Sequence, residues 1–154
     1  MYKRIVVPLD GSKLAEEVLT HVRTLASCLG SEIILVRITA YPSYEYLLAD
    51  PSVAASLQTS LEGEAGEYLN GLVDSLRRAG FQAQAEVVTV GGPVADAIIA
   101  FAHKVQADLI AMSTHGRTGP SRWFLGSVAD RVVRGAGVPV LMIRPIKHQQ
   151  VGTP

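Results

Sequence analysis

Three glycines, two arginines and a helix-starting serine crowd the stretch from Met112 to Val128, which reads Met-Ser-Thr-His-Gly-Arg-Thr-Gly-Pro-Ser-Arg-Trp-Phe-Leu-Gly-Ser-Val. The glycines are Gly116, Gly119 and Gly126, the arginines Arg117 and Arg122, and no acidic residue lies among them. Glycine lets a backbone approach a ligand closely, and the first N–H groups of a helix have no partner within it. Together with the helix dipole, those donors favour a bound anion. The chemistry expected here is phosphate binding. The alternative is that the glycines shape a turn and Ser127 caps a helix, as serine commonly does.

A carboxylate offers a second candidate. Asp10-Gly11-Ser12 follows an apolar run, and Asp10 could orient a metal ion or water beside phosphate. Asp and Ser also suit turns and helix entries, so the local sequence supports both readings equally. No capping box accompanies Ser12, because Ala15 stands three residues on.

These residues need elements to position them. Ile5-Val-Val7 with Leu9, Ile33 to Val36 with Ile38, and Leu109 to Met112 read as strands buried on both faces. Phe81, Ala83, Ala85 and Val87 alternate with polar residues, as in a half-exposed strand near a sheet edge, and Val138 to Ile143 form the fifth strand. Apolar residues at helical spacing fall between the strands: Leu14, Val18, Val22, Leu25 and Leu29; then Leu61, Ala65, Tyr68, Leu72 and Leu76. Val94, Ile98, Phe101 and Val105 follow Pro93, a residue suited to the first helical position, and Val128, Val132 and Val133 precede the helix-ending Gly135 and Gly137.

Alternating strands and helices imply right-handed crossovers and an α/β fold, a three-layer α/β/α sandwich on a five-stranded parallel sheet with four helices. With strand order 3-2-1-4-5, the ends of strands one and four flank the switch point where such folds bind ligands. Asp10 and the glycine-rich stretch would then share one crevice. That position favours a functional Asp10.

Composition narrows the rest. The 154 residues suit one domain, assigned to 1–146 with a polar tail at 147–154, and Lys+Arg and Asp+Glu both total 14. No global field attracts nucleic acid or an anionic membrane, so neither is an expected partner. No apolar stretch reaches transmembrane length, and Pro8 and Asp10 interrupt the first apolar run too soon for a signal peptide. The single cysteine, Cys28, forms no intrachain disulfide and reads as a small core residue; a cytoplasmic location is expected. His21, His103 and His148 show no zinc-like spacing with it. The aromatic loop from Tyr41 to Pro51 reads first as a surface excursion, and otherwise as a cover for a purine ring or a partner.

From Tyr2 to Pro145 the chain resembles the universal stress protein family. Nucleotide-binding members carry glycine, two residues, glycine, nine residues, then glycine with serine or threonine; Gly116, Gly126 and Ser127 match the last three places, and Ser113 replaces the first glycine. Serine keeps the backbone N–H but adds a Cβ where the backbone approaches ligand. The resemblance implies a Rossmann-like adenine nucleotide-binding fold and a stress-response switch or adaptor that binds ATP, or AMP or ADP. Mg²⁺ or Mn²⁺ would be held through the phosphates with no direct protein ligand.

By the same resemblance Pro8, Leu9 and Asp10 lie near the nucleoside or its metal, and Ile38 meets adenine. Met112 and Ser113 border the nucleoside, and His115, Gly116, Arg117 and Gly119 belong to the loop at ribose and phosphate, His115 reading equally as a turn-shaping residue. Gly126, Ser127 and Val128 hold the phosphate chain. Binding is favoured over catalysis, since neither a Walker lysine motif nor a kinase catalytic loop is present. The alternatives are slow hydrolysis or self-phosphorylation, with Asp10 as the weak catalytic candidate and His115 or Ser121 as participants, and a nucleotide-free dimeric adaptor. Pro139 before the apolar Val140 to Ile143 argues for an edge strand that pairs with a second copy, an isologous homodimer.

Overall fold

Burial on both faces explains the central strands. In the computed structural model, which describes residues 1–41, 50–114 and 125–144, Ile5, Val6 and Val7 of β1 (Arg4–Pro8) are wholly buried, and every residue of β4 (Leu109–Ser113) is buried. β2 (Glu32–Ala40) lies beside β1, and β3 (Ala83–Val90) and β5 (Val140–Ile143) are the partly exposed outer strands. The sheet is parallel throughout, in the order β3-β2-β1-β4-β5. This is the expected α/β sandwich.

Alternate strand residues feed two cores. On one face Ile5, Val7, Leu9, Ile33 and Leu35 pack with α2 (Val18–Leu29) and α3 (Pro51–Arg78); on the other Val6, Ile34, Val36, Ile110 and Met112 pack with α4 (Val94–Lys104) and α5 (Ser127–Gly135). α3 starts well before the apolar spacing that marked it. Asp50 accepts hydrogen bonds from the N–H groups of Ser52 (2.9 Å) and Val53 (3.3 Å), and Pro51 gives up no needed donor at the first position.

Several local readings are corrected. The first helix is split: one turn, α1 (Lys13–Glu16), is followed by α2, and at Glu17 between them the backbone stays helical while Thr20 N–H reaches back only three residues, at 3.4 Å. Cys28 is exposed, because α2 buries Val18, Val22 and Ala26, and two further residues turn the chain about 200° round the helix axis. Pro93 is the N-cap of α4, one place before the expected position. β5 is shorter than expected at its start, although the Pro139 carbonyl still accepts from Ile110 N–H at 3.0 Å. Gly137, at φ +66°, makes the turn into it. Among the described residues no helix is long and apolar enough to cross a membrane. The tail at 147–154 and the loop at 42–49 lie outside the described residues.

Candidate functional site

β1 leads outward to β2 and β3, whereas β4 leads to β5 on the other side, so the crevice beyond their carboxyl ends is the switch point of the sheet. A cavity of about 210 Å³ lies there. Its floor comes from Val36 and Ile38 of β2 and Met112 of β4, and α4 contributes Val94 and Ile98. Pro8, Leu9 and Asp10 form the wall after β1, with Ala15 behind them; Ser113, Thr114, Gly126, Ser127, Val128 and Ala129 close the opposite side. The lining is mainly apolar, with polar groups confined to Asp10, Ser113, Thr114, Ser127 and backbone. Such a pocket suits a flat heterocycle with a polar tail.

The walls are held by ordinary backbone chemistry. Leu9 N–H donates to Val36 O at 2.9 Å, extending the β1–β2 pairing past the strand, and Thr114 N–H donates to Ile143 O at 2.8 Å. Ser12 caps α1, accepting from Ala15 N–H at 3.1 Å, while Ser12 N–H donates to the Asp10 carboxylate at 2.9 Å. Helix entry and cleft wall therefore coexist in one turn: Ser12 does the first, and Asp10 both braces the turn and lines the cavity.

The start of α5 differs from the capping alternative. Gly126 is the N-cap, Ser127 is the first helical residue, and among the described residues no side chain caps the helix. The first turn, Ser127 to Ala129, thus lines the cavity with no side-chain cap among the described residues. Gly126 N–H donates to Thr114 O at 3.1 Å, and a Cβ added there would lie 3.2 Å from that same oxygen. A larger residue there would push the end of β4 by a few tenths of an ångström, so this close approach of α5 favours glycine. Arg131 of α5 makes a bidentate pair with Asp96 of α4, both bonds 2.7 Å, linking on the surface the two helices that line the cavity.

Of the residues singled out by sequence, Pro8, Leu9, Asp10, Ile38, Met112, Ser113, Gly126, Ser127 and Val128 all line the cavity. His115, Gly116, Arg117 and Gly119, with Ser121 and Arg122, lie outside the described residues. Sequence reasoning missed Ala15, Val36, Val94, Ile98, Thr114 and Ala129. Some were within reach: Val36 shares a strand face with Ile38, and Val94 with Ile98 opens the helix facing the expected switch point. Among the described residues no cluster of three or more His, Cys, Asp or Glu side chains could hold a metal ion.

Known proteins share this architecture. The sequence profile described as the universal stress protein family matches residues 1–144. Universal stress protein MJ0531 of Methanocaldococcus jannaschii is 33% identical over 149 residues, covering 97% of this chain and 86% of that protein. The solved structure of MJ0577, from the same archaeon, has a TM-score of 0.81 at 28% identity and covers 96% of this chain and 99% of its own. A universal stress protein from Archaeoglobus fulgidus, solved in complex with dAMP, has a TM-score of 0.65 at 25% identity over 92% of this chain and 98% of its own. With its profile, its archaeal relative and its sheet order in agreement, the chain belongs to the universal stress protein family.

Proposed function

We propose that the switch-point cavity binds an adenine nucleotide, ATP in particular, and that occupancy makes the protein a nucleotide-dependent switch or adaptor in a stress response. The observation that carries this reading is the junction of an apolar cleft with the uncapped start of α5 at Gly126. Base and ribose would fill the cleft between Ile38, Val94, Ile98 and Met112, and the phosphates would meet the N–H groups of Ser127 and Val128. The dAMP complex of the Archaeoglobus relative supports an adenine ligand in this fold. His115, Gly116, Arg117 and Gly119 are assigned to the ribose and phosphates through the family motif alone.

Mg²⁺ or Mn²⁺, carried on phosphate oxygens, would neutralise the phosphate charge. The donor set fits this arrangement: backbone N–H groups take the anion, and the Asp10 carboxylate stands on the opposite wall as a partner for metal-bound water. Micromolar affinity corresponds to about 8 kcal/mol, within reach of base burial, phosphate hydrogen bonds and a metal acting together.

The assembly belongs to the same proposal. β5 is an edge strand of partly buried Val140, Leu141, Met142 and Ile143, and pairing with a second copy would cover it. A cytoplasmic location rests on the lone cysteine and the sequence composition.

Calorimetric titration of the purified protein with ATP, ADP, AMP and GTP, each with Mg²⁺, tests the ligand. Saturable heat with ATP and at least tenfold weaker binding of GTP are expected. No heat with any adenine nucleotide overturns the reading.

A further inference from the structure

Ile38 faces the cavity, so its neighbour Arg37 projects to the opposite side of the sheet. There it reaches the turn that carries Asp10. Gly11 holds φ +86°, a conformation that favours glycine, and a Cβ placed on it would lie 2.6 Å from Arg37 Nη1, 3.1 Å from Cζ and 3.2 Å from Nη2. The guanidinium therefore lies directly against the turn backbone. It also lies over the Tyr68 ring of α3, 5.3 Å from the ring centre.

Tyr68 is tied in turn to α1. Its hydroxyl donates to Glu16 Oε1 at 3.1 Å, and Lys13 Nζ approaches the same carboxylate at 3.0 and 3.2 Å. The circuit closes through Ser12, which caps α1 and donates its N–H to Asp10. Burial and the Glu16 carboxylate both push the Tyr68 phenol well above its usual range, so Tyr68 stays a neutral donor in this circuit.

We propose that Arg37 is a positioning residue for Asp10: stacked on Tyr68, it presses the Gly11 turn from the far side of the sheet and sets the carboxylate at the cavity wall. The ligand consequence rests on the nucleotide reading given above. The placement itself does not. Because Tyr68 belongs to α3, the same contact couples the occupied cavity to the longest helix of the molecule.

The test has two arms. In the ligand-free full chain, amide hydrogen exchange is followed by NMR at Ser12, bonded to Asp10, and at Leu9, bonded to Val36 O. Arg37→Met and Tyr68→Leu should speed exchange at Ser12 roughly two- to fivefold, the size of an exposed cation–π contact, with Leu9 unchanged. Tyr68→Phe, which keeps the ring, should preserve most of the protection. Unchanged exchange at Ser12, or equal changes at Ser12 and Leu9, overturns the placement.

In the second arm, ATP with Mg²⁺ is titrated into the parent, Arg37→Met, Asp10→Ala and the double variant. Arg37→Met should weaken binding by the same roughly two- to fivefold, and should add nothing once Asp10 is gone. Equal losses in both backgrounds overturn action through Asp10. No heat from the parent overturns the nucleotide reading and leaves the exchange arm to decide the placement.

Discussion

Replacing Gly126 separates helix stability from phosphate binding, because the two respond to a new carboxylate with opposite signs. Gly126 is the N-cap of α5 at φ −59° and ψ 149°, the extended geometry in which an Asp side chain accepts from the first turn. Gly126→Asp should regain a few tenths of a kcal/mol as a cap and about 0.3–1 kcal/mol from the helix dipole. Against this stands the new Cβ, 3.2 Å from Thr114 O, which forces a shift of a few tenths of an ångström at the end of β4. The net change in stability should be within about 1 kcal/mol, or roughly 2–4 °C in Tm for a domain of this size.

Binding should change far more. A carboxylate 4–8 Å from a phosphate charge, at an effective dielectric near 20, opposes it by about 2–4 kcal/mol. Affinity for ATP with Mg²⁺ should therefore fall roughly 30- to 900-fold. Gly126→Ala is the control: it keeps the steric cost, lacks the cap and the charge, and should lose a few degrees of Tm with less than about tenfold in affinity. Calorimetry and thermal unfolding on the three proteins decide the matter. Affinity in Gly126→Asp within about threefold of the parent, or equal losses in the Ala and Asp variants, refutes the assignment of phosphate to the start of α5.

Other outcomes follow from the same structure. Leu69→Ala, at a side chain 1% exposed, should cost about 2–5 kcal/mol, whereas Leu61→Ala on the same helix, at 39% exposure, should cost under about 1 kcal/mol; chemical denaturation separates them. The folded-state pKa of Tyr68 is raised, so its stabilising contribution is intact below the usual value of 10.0 and declines as pH rises beyond it. Tyr68→Phe should flatten the alkaline limb of stability against pH. Sedimentation of the parent should show two chains per particle, reduced to one in Val140→Lys, which places a charge on the edge strand β5. If ATP is turned over, Asp10→Ala should abolish product formation while retaining bound nucleotide; unchanged turnover would remove Asp10 from any hydrolytic role.

Much of the site was legible because β-strands buried on both faces are short, continuous apolar runs. Ile5 to Val7 and Leu109 to Met112 declare themselves in that way, and the residues just beyond them, Asp10 and Ser113, are placed by topology. Ser127 was ambiguous. Cap and first helical residue differ by one position, and the start of α5 is set by the Gly126 carbonyl, which accepts from Asp130 N–H at 2.9 Å, with Gly126 N–H held on Thr114 O at 3.1 Å. Cys28 misled because it sits among apolar neighbours, and the buried arc of a helix depends on what it packs against.

The sequence by itself determined the alternation of strands and helices, the switch-point location and the glycine at Gly126, since these depend on local periodicity and on which residue fits a tight backbone. Tertiary structure alone decided the rest of the cavity wall: Val94 and Ile98 belong to an α4 that is distant along the chain from β1 and α5, and Arg37 meets Gly11 only because β2 pairs beside β1. Such contacts join segments whose sequence patterns are each satisfied by their own element. Their meeting is settled by the packing of whole layers.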